Sequence, residues 1–282
     1  SEMCIRDRRH KVALTLLVTA IPYAAAFGET SGPRVGPLDL RPYLLVQQVE
    51  GGTFDQDRDG GQGTGGNTRR ARLGAEAAIG KDFELGVVYD FGAAPGSGSR
   101  FFEADAAYAG LKPFVVRAGI FKPAFTLEFA QAAADILFVE RASIVSIVGG
   151  LVAGAGRTGA QFGAGGDRWF AAAFLTGGTN GPGAQSDQRA ALGRIAGLVI
   201  KTKNVSLHLG ASGAWLYQVP RSGDGQRTLS FSDQPELQVD DVDTPLSSGS
   251  LQTTGAQMGG FETGLSWDLS LIHISEPTRQ AE

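Results

Sequence analysis

Residues 68–91, TRRARLGAEAAIGKDFELGVVYDF, alternate between two kinds of side chain. Ala71, Leu73, Ala75, Ala77 and Ile79 are apolar, whereas the intervening Arg70, Arg72, Gly74 and Glu76 are charged or small. After Gly80-Lys81-Asp82 the alternation resumes, with Phe83, Leu85, Val87, Tyr89 and Phe91 on one face and Glu84, Gly86, Val88 and Asp90 on the other. A period of two is that of a strand, and the glycine-bearing interruption makes the pair a hairpin. The same pattern predicts strands over residues 40–49, 102–109, 114–121, 158–164, 168–176, 189–201 and 205–217, with two or three more in 235–242 and 251–267. It groups Phe102, Ala104, Ala106 and Tyr108 opposite Glu103 and Asp105, and Phe114, Val116, Ala118 and Ile120 opposite Arg117.

A soluble sandwich turns its charged face to bulk water, whereas a membrane barrel turns its apolar face to lipid and its charged face to a wet lumen. Segments of eight to twelve residues suit a tilted membrane strand of about 9–11. Short connections such as TKN alternate with long polar ones such as GGTNGPGAQSDQ and RSGDGQRTLSFSDQ, as at the two ends of an outer-membrane barrel. The 41 glycines follow no collagen period, and together with many alanines they suit close strand contacts and a lipid-tolerant wall. The fold expected is therefore all-β, an antiparallel transmembrane β-barrel. A secreted β-sandwich is the least supported alternative. Residues 125–147, FTLEFAQAAADILFVERASIVSI, break the alternation and predict a non-strand connection with helical turns around Ala130 to Asp135, folded into the lumen.

Residues 8–27 order a basic stretch, an apolar core and small residues, which predicts a secretory signal peptide. Residues 1–8 and 270–282 resemble translated sequencing-adapter sequence, which would leave residues 38–268 as the barrel domain and remove Cys4 and His273 from consideration. On that expectation the chain is a fragment, and an open sheet of this length does not form a stable pore. A net charge of −4 argues against nucleic acid as partner, and a single cysteine excludes an internal disulfide framework.

Chemistry-bearing motifs are few. Asp55, Asp57 and Asp59 begin a calcium-type D-x-D-x-D-G run, but Gly66 stands where the closing glutamate belongs, so an acidic exposed turn is the better reading. Gly154, Gly156 and Gly159 spell G-x-G-x-x-G without the helix a dinucleotide site needs after it. His208 has no acidic or nucleophilic partner at a recognisable spacing, which leaves no catalytic constellation and no implied cofactor. The candidate functional set is the inward face: Arg70, Arg72, Arg117 and Arg194, with Glu76, Glu84, Asp90, Glu103 and Asp105. Such a mixed ring selects solutes by charge and size, and guanidiniums favour phosphate or carboxylate. The competing reading is that these groups brace neighbouring strands.

The blocks RRARLGAEAAIGKDFELGVVYDFG, EADAAYAG, KPFVVRAGIFKPAFTLE and FVERA resemble the phosphate-selective porin O and P family of bacterial outer membranes. The resemblance implies a 16-stranded barrel, of which this chain supplies about 11–12 strands, a homotrimer in outer-membrane lipid, and passage of small anions past an inward loop. By position it implies that Arg69 and Arg70 are constriction arginines, that Arg141 is a third on the loop, and that Asp105 lies near the eyelet. Strand parity puts Arg69 on the outer face instead, a conflict resolved if the strand begins at Arg70. Where phosphate-specific members carry a lysine and serines, this chain has Phe129, Ala132 and Ala133, which predicts a general or weakly anion-favouring porin. The alternative function is a non-conducting structural or adhesive barrel.

Overall fold

The computed structural model describes residues 34–35, 38–54, 62–92, 100–131, 141–154, 156–180, 187–233, 246–267 and 270–278. The signal-peptide segment, Asp55, Asp57, Asp59 and the strand expected at 235–242 lie outside the described residues. The alternating segments become antiparallel strands: β1 (Arg34–Val35), β2 (Leu38–Phe54), β3 (Gln62–Ile79), β4 (Phe83–Asp90), β5 (Arg100–Tyr108), β6 (Phe114–Ile120), β7 (Arg157–Gly166), β8 (Trp169–Thr179), β9 (Arg189–Lys201) and β10 (Val205–Gln218). Four two-residue strands follow, β11 (Thr228–Leu229), β12 (Ser232–Asp233), β13 (Leu246–Ser247) and β14 (Leu251–Gln252), then β15 (Ala256–Trp267) and β16 (Ser270–Thr278). Strands β1 to β10, β15 and β16 form one 12-stranded meander in which each pairs with its neighbour. Its outer strands β1 and β16 do not pair with each other, so the sheet is an unclosed porin-type barrel. Small antiparallel pairs β11–β14 and β12–β13 decorate the long connection between β10 and β15.

Tight turns of two to five residues join β3 to β4, β5 to β6, β7 to β8 and β9 to β10, and all lie at one end of the sheet. Longer connections leave the other end, including residues 121–156 between β6 and β7. This segment carries helices α1 (Leu127–Ala130) and α2 (Ser143–Val152). Helix α1 ends at Ala130, where the helical turns around Ala130 to Asp135 were expected to begin, and residues 132–140, which hold most of that stretch, lie outside the described residues.

The burial is inverted relative to a soluble protein. Leu73, Val87, Phe162, Leu175, Ile195 and Phe261 are exposed on one face, while Arg70, Arg72, Asp105 and Glu262 are each less than a tenth exposed on the other. In water an outer face of this kind would cost about 25 cal/mol for each Å² of apolar surface, and a lipid neighbour removes that cost. Aromatic rings mark both rims of the exposed face. Phe83 meets Tyr108 and Phe114 stacks on Phe162 near the tight turns, whereas Tyr89 packs on Phe91 and Phe101, and Trp215 on Tyr217, toward the long connections. Eight residues separate Phe83 from Phe91, about 27 Å along a strand or about 21 Å along the membrane normal at a tilt of about 40°, the same scale as an apolar band of about 25 Å.

Two β-bulges correct the simple parity. β5 pairs Glu103 with Val88 but Phe101 with Tyr89, leaving Phe102 as the extra residue. Phe101 therefore faces outward, and Phe102, expected outward with Ala104, instead lies beneath the Arg72 guanidinium at 3.6 Å. On β3, Thr68 opposes Gln48 and Arg70 opposes Gln47, so the bulged residue is Arg69. The strand does not begin at Arg70 as expected, since β3 runs from Gln62. The outer-face argument for Arg69 fails for a different reason, because alternation is broken at that residue.

Candidate functional site: the inner face and its inward segment

Three of the arginines placed inward by parity sit in ion pairs with acids on nearby strands. Arg72 donates from Nε to Asp90 at 2.7 Å, across the directly opposed pair of β3 and β4. Arg117 donates to Asp105 at 2.5 Å between β6 and β5. Arg194 on β9 donates to Glu262 on β15 at 2.7 and 3.1 Å, reaching over β10 where Gly210 and Ser212 leave room. These three pairs follow the bracing reading of the inward charges. Arg70, also buried, donates to Gln47 on β2.

The segment 121–156 supplies the rest of the site. Lys122 donates to the Gln131 carbonyl at 2.9 Å, and Arg141 donates to the carbonyls of Glu128 at 3.0 Å and Gln131 at 2.8 Å. Both cations lie over the Phe129 ring, at 5.3 and 5.6 Å from its centroid, a favourable cation–π arrangement. Lys122 belongs to the segment rather than to a spanning strand. Burial lowers its ammonium to about 7, with repulsion from Arg141, Arg72 and Arg70 acting in the same sense and Glu103 opposing. Among the described residues Lys122 forms no ion pair, so this basic group draws Arg70 and Arg72 from the wall together with Lys122 and Arg141 from the segment. Lys122 was not singled out in the sequence, although it stands in the block KPAFTLE; its signal is a lysine at the point where alternation stops.

Elsewhere the segment is held by packing. Phe121, Phe125, Phe129, Val145 and Val152 join Phe174, Leu192 and Leu216 in one buried apolar cluster. The sequence of α2, SIVSIVGGLV, is rich in β-branched residues and glycine, which are poor helix formers, so tertiary contacts make the helix. Its last carbonyls are satisfied by buried wall side chains: Arg157 donates to Gly150 at 3.0 Å, Thr176 to Val152 at 2.8 Å, and Gln188 to Leu151. Gly149 permits close approach, since a Cβ there would lie 2.7 Å from a ring carbon of Phe129.

Gly154 and Gly156 follow a helix and precede a strand, and Gly159 lies within that strand, the reverse of a dinucleotide turn. Gly156 has φ +75° and accepts at its carbonyl from the Asn180 backbone N–H at 2.8 Å, which makes it a turn residue. His208 has an acidic partner after all: its Nε2 is 3.2 Å from Glu262, a residue 54 positions away in sequence and therefore invisible to spacing rules. Arg69 is half-buried at its bulge, and Arg69, Arg70, Arg72, Lys122, Asp105, Arg117, Arg141 and Arg194 all lie on the inner face, on the segment or at the bulge.

The family model for phosphate-selective porin O and P matches residues 39–260. The chain belongs to that family. No curated protein matches it. Membership makes this an outer-membrane porin, a channel rather than an enzyme family, and the inverted burial of the sheet agrees with a bacterial outer-membrane address.

Proposed function

We propose that this porin is a passive diffusion channel for small anions, exported through the segment at residues 8–27 and assembled as a homotrimer. The observation that carries the anion preference is the basic group on and beside the inward segment. Lys122 and Arg141 meet over Phe129, and Arg70 and Arg72 lie near enough to repel the Lys122 ammonium. Positive potential focused in a confined, partly apolar site raises the local concentration of anions. Phe129, on the segment, offers a ring where a phosphate-specific site needs donors to replace the hydration shell, which supports general anion passage over phosphate specificity.

The test is the reversal potential across a planar bilayer in asymmetric salt, using protein expressed from its complete reading frame. Anion preference that falls several-fold in Lys122→Gln supports the proposal. Cation preference in the unaltered protein would reject it. Zero conductance from a verified trimer would favour the alternative of a non-conducting structural barrel, for which the apolar packing of α2 against the wall is the motivating observation.

A further inference from the structure

Glu262 is a buried carboxylate that the basic group does not involve. Four donor atoms converge on it. Arg194 contributes Nη2 at 2.7 Å and Nε at 3.1 Å, His208 contributes Nε2 at 3.2 Å, and the backbone N–H of Leu127 reaches its second oxygen at 2.5 Å. Leu127 is the first residue of α1, and Arg194 also donates from Nη1 to the Ala124 carbonyl at 3.3 Å. The pair thus grips the inward segment by one carbonyl and one amide, 135 residues from Glu262 in sequence for the amide. Packing is incomplete beside it. An apolar cleft, lined by Phe125, Thr126, Val145, Ser212 and Gly260 with Glu262 at its edge, lies between segment and wall. Gly210 stands directly opposite Glu262 on β10, and a Cβ there would lie 2.8 Å from the Glu262 Cγ and closer still to the carboxylate.

We infer that Glu262, with Arg194, is a clasp that positions the inward segment, and that through the segment it sets the place of Lys122 and hence the width and selectivity of the path. Glu262 is a positioning residue: it acts on solute through Ala124 and Leu127. The inference rests on the diffusion-channel reading for its consequence but not for its geometry. Burying a carboxylate is costly unless its lone pairs are filled, and here two arginine nitrogens, an imidazole and an amide fill them. The amide is the one donor of this set that belongs to the segment, so removal of the carboxylate releases the segment's start while the far end remains held at Gly150, Leu151 and Val152.

The experiment is hydrogen–deuterium exchange on the chain refolded in detergent, comparing Glu262→Ala and Gly210→Ala with the parent. Gly210→Ala removes no charge and no hydrogen-bonding group, so it displaces the carboxylate even if Glu262→Ala does not fold. Gly213→Ala is the control, because its added methyl group would meet only Met258 O at an ordinary 3.8 Å. Exchange at residues 125–130 at least tenfold faster in either folded variant, with Gly213→Ala and residues 150–153 unchanged, supports the clasp. Parent-like exchange at 125–130 in a folded variant overturns it. In bilayers, protein from the complete reading frame is expected to gain conductance and lose discrimination between chloride and larger carboxylates when Glu262 or Gly210 is changed. Absence of current from the unaltered protein counts against the channel reading alone, and the exchange result still decides the clasp.

Discussion

The inner face of the sheet divides into two regions of opposite character. Along β3 to β6 it is charged, with Arg70, Arg72, Asp90, Asp105 and Arg117 bound to one another or to polar neighbours on adjacent strands. Along β8 to β10 it is apolar, and Phe174, Leu192, Ala214 and Leu216 bury α2 and the phenylalanines of the segment. A hydrated ion needs polar partners along its path, and the apolar region offers few. The difference teaches that the segment is glued to one half of the wall so that its basic side chains are presented toward the other. On or beside this apolar half, Arg157, Thr176, Gln188 and Arg194 each donate to the segment's backbone.

The sharpest way to break this division is to hollow out the apolar half. Phe174→Ala removes a side chain 1% exposed and is expected to cost about 3–5 kcal/mol, read as a lowered urea midpoint for the detergent-folded protein. The outer wall offers the next test. Ile195→Arg on the exposed face should cost about 2–4 kcal/mol if that face meets the bilayer midplane, measured as unfolding from lipid vesicles, and nearly nothing if it meets water. A smaller change concerns the bond between the halves of the wall and α2. Thr176→Val keeps the shape but leaves the Val152 carbonyl without its hydroxyl donor, an expected loss of about 1–3 kcal/mol, visible as faster exchange confined to the end of α2.

The smallest effect is on charge alone. Lys122 titrates near 7, so it is charged below that pH and neutral above it. Anion preference should therefore decline as pH rises from about 6 to 8, and Lys122→Gln should flatten that decline. Stability moves the other way. The ammonium is lowered from 10.5 on folding, so between about 7 and 10.5 the unfolded chain binds the extra proton and folding is favoured as pH rises. A pH-independent reversal potential would count against Lys122 as part of the path.

Much of the wall was legible because strand alternation is local: residues 70–79 carry their own register in the order Arg, Ala, Arg, Leu. What sequence reading lost depended on partners. The bulges at Arg69 and Phe102 are properties of a pair of strands, since each is an extra residue only relative to β2 or β4. Helix α2 was missed because its composition argues against a helix, and its carbonyls find donors in residues that follow it by as much as 37 positions. Glu262 was overlooked for the same reason: its three partners, Leu127, Arg194 and His208, come from three separate stretches of chain. Parity grouped Arg72, Arg117 and Arg194 on one face, whereas their ion pairs required the positions of Asp90, Asp105 and Glu262.

A regular strand presents an inward side chain only once in about 6.8 Å, because every other residue points away. The bulge at Phe102 relaxes that spacing limit. Phe102 reaches the Arg72 guanidinium, and the very next residue, Glu103, comes within 3.9 Å of the space above Gly86 together with Asp105. Consecutive residues thus contribute a ring and a carboxylate to the same side, raising the linear density of functional groups beyond what flat pleating allows. A second extra residue, Arg69, sits in the ladder beside the buried Arg70, so the register irregularities of the wall fall next to its inner-face charges.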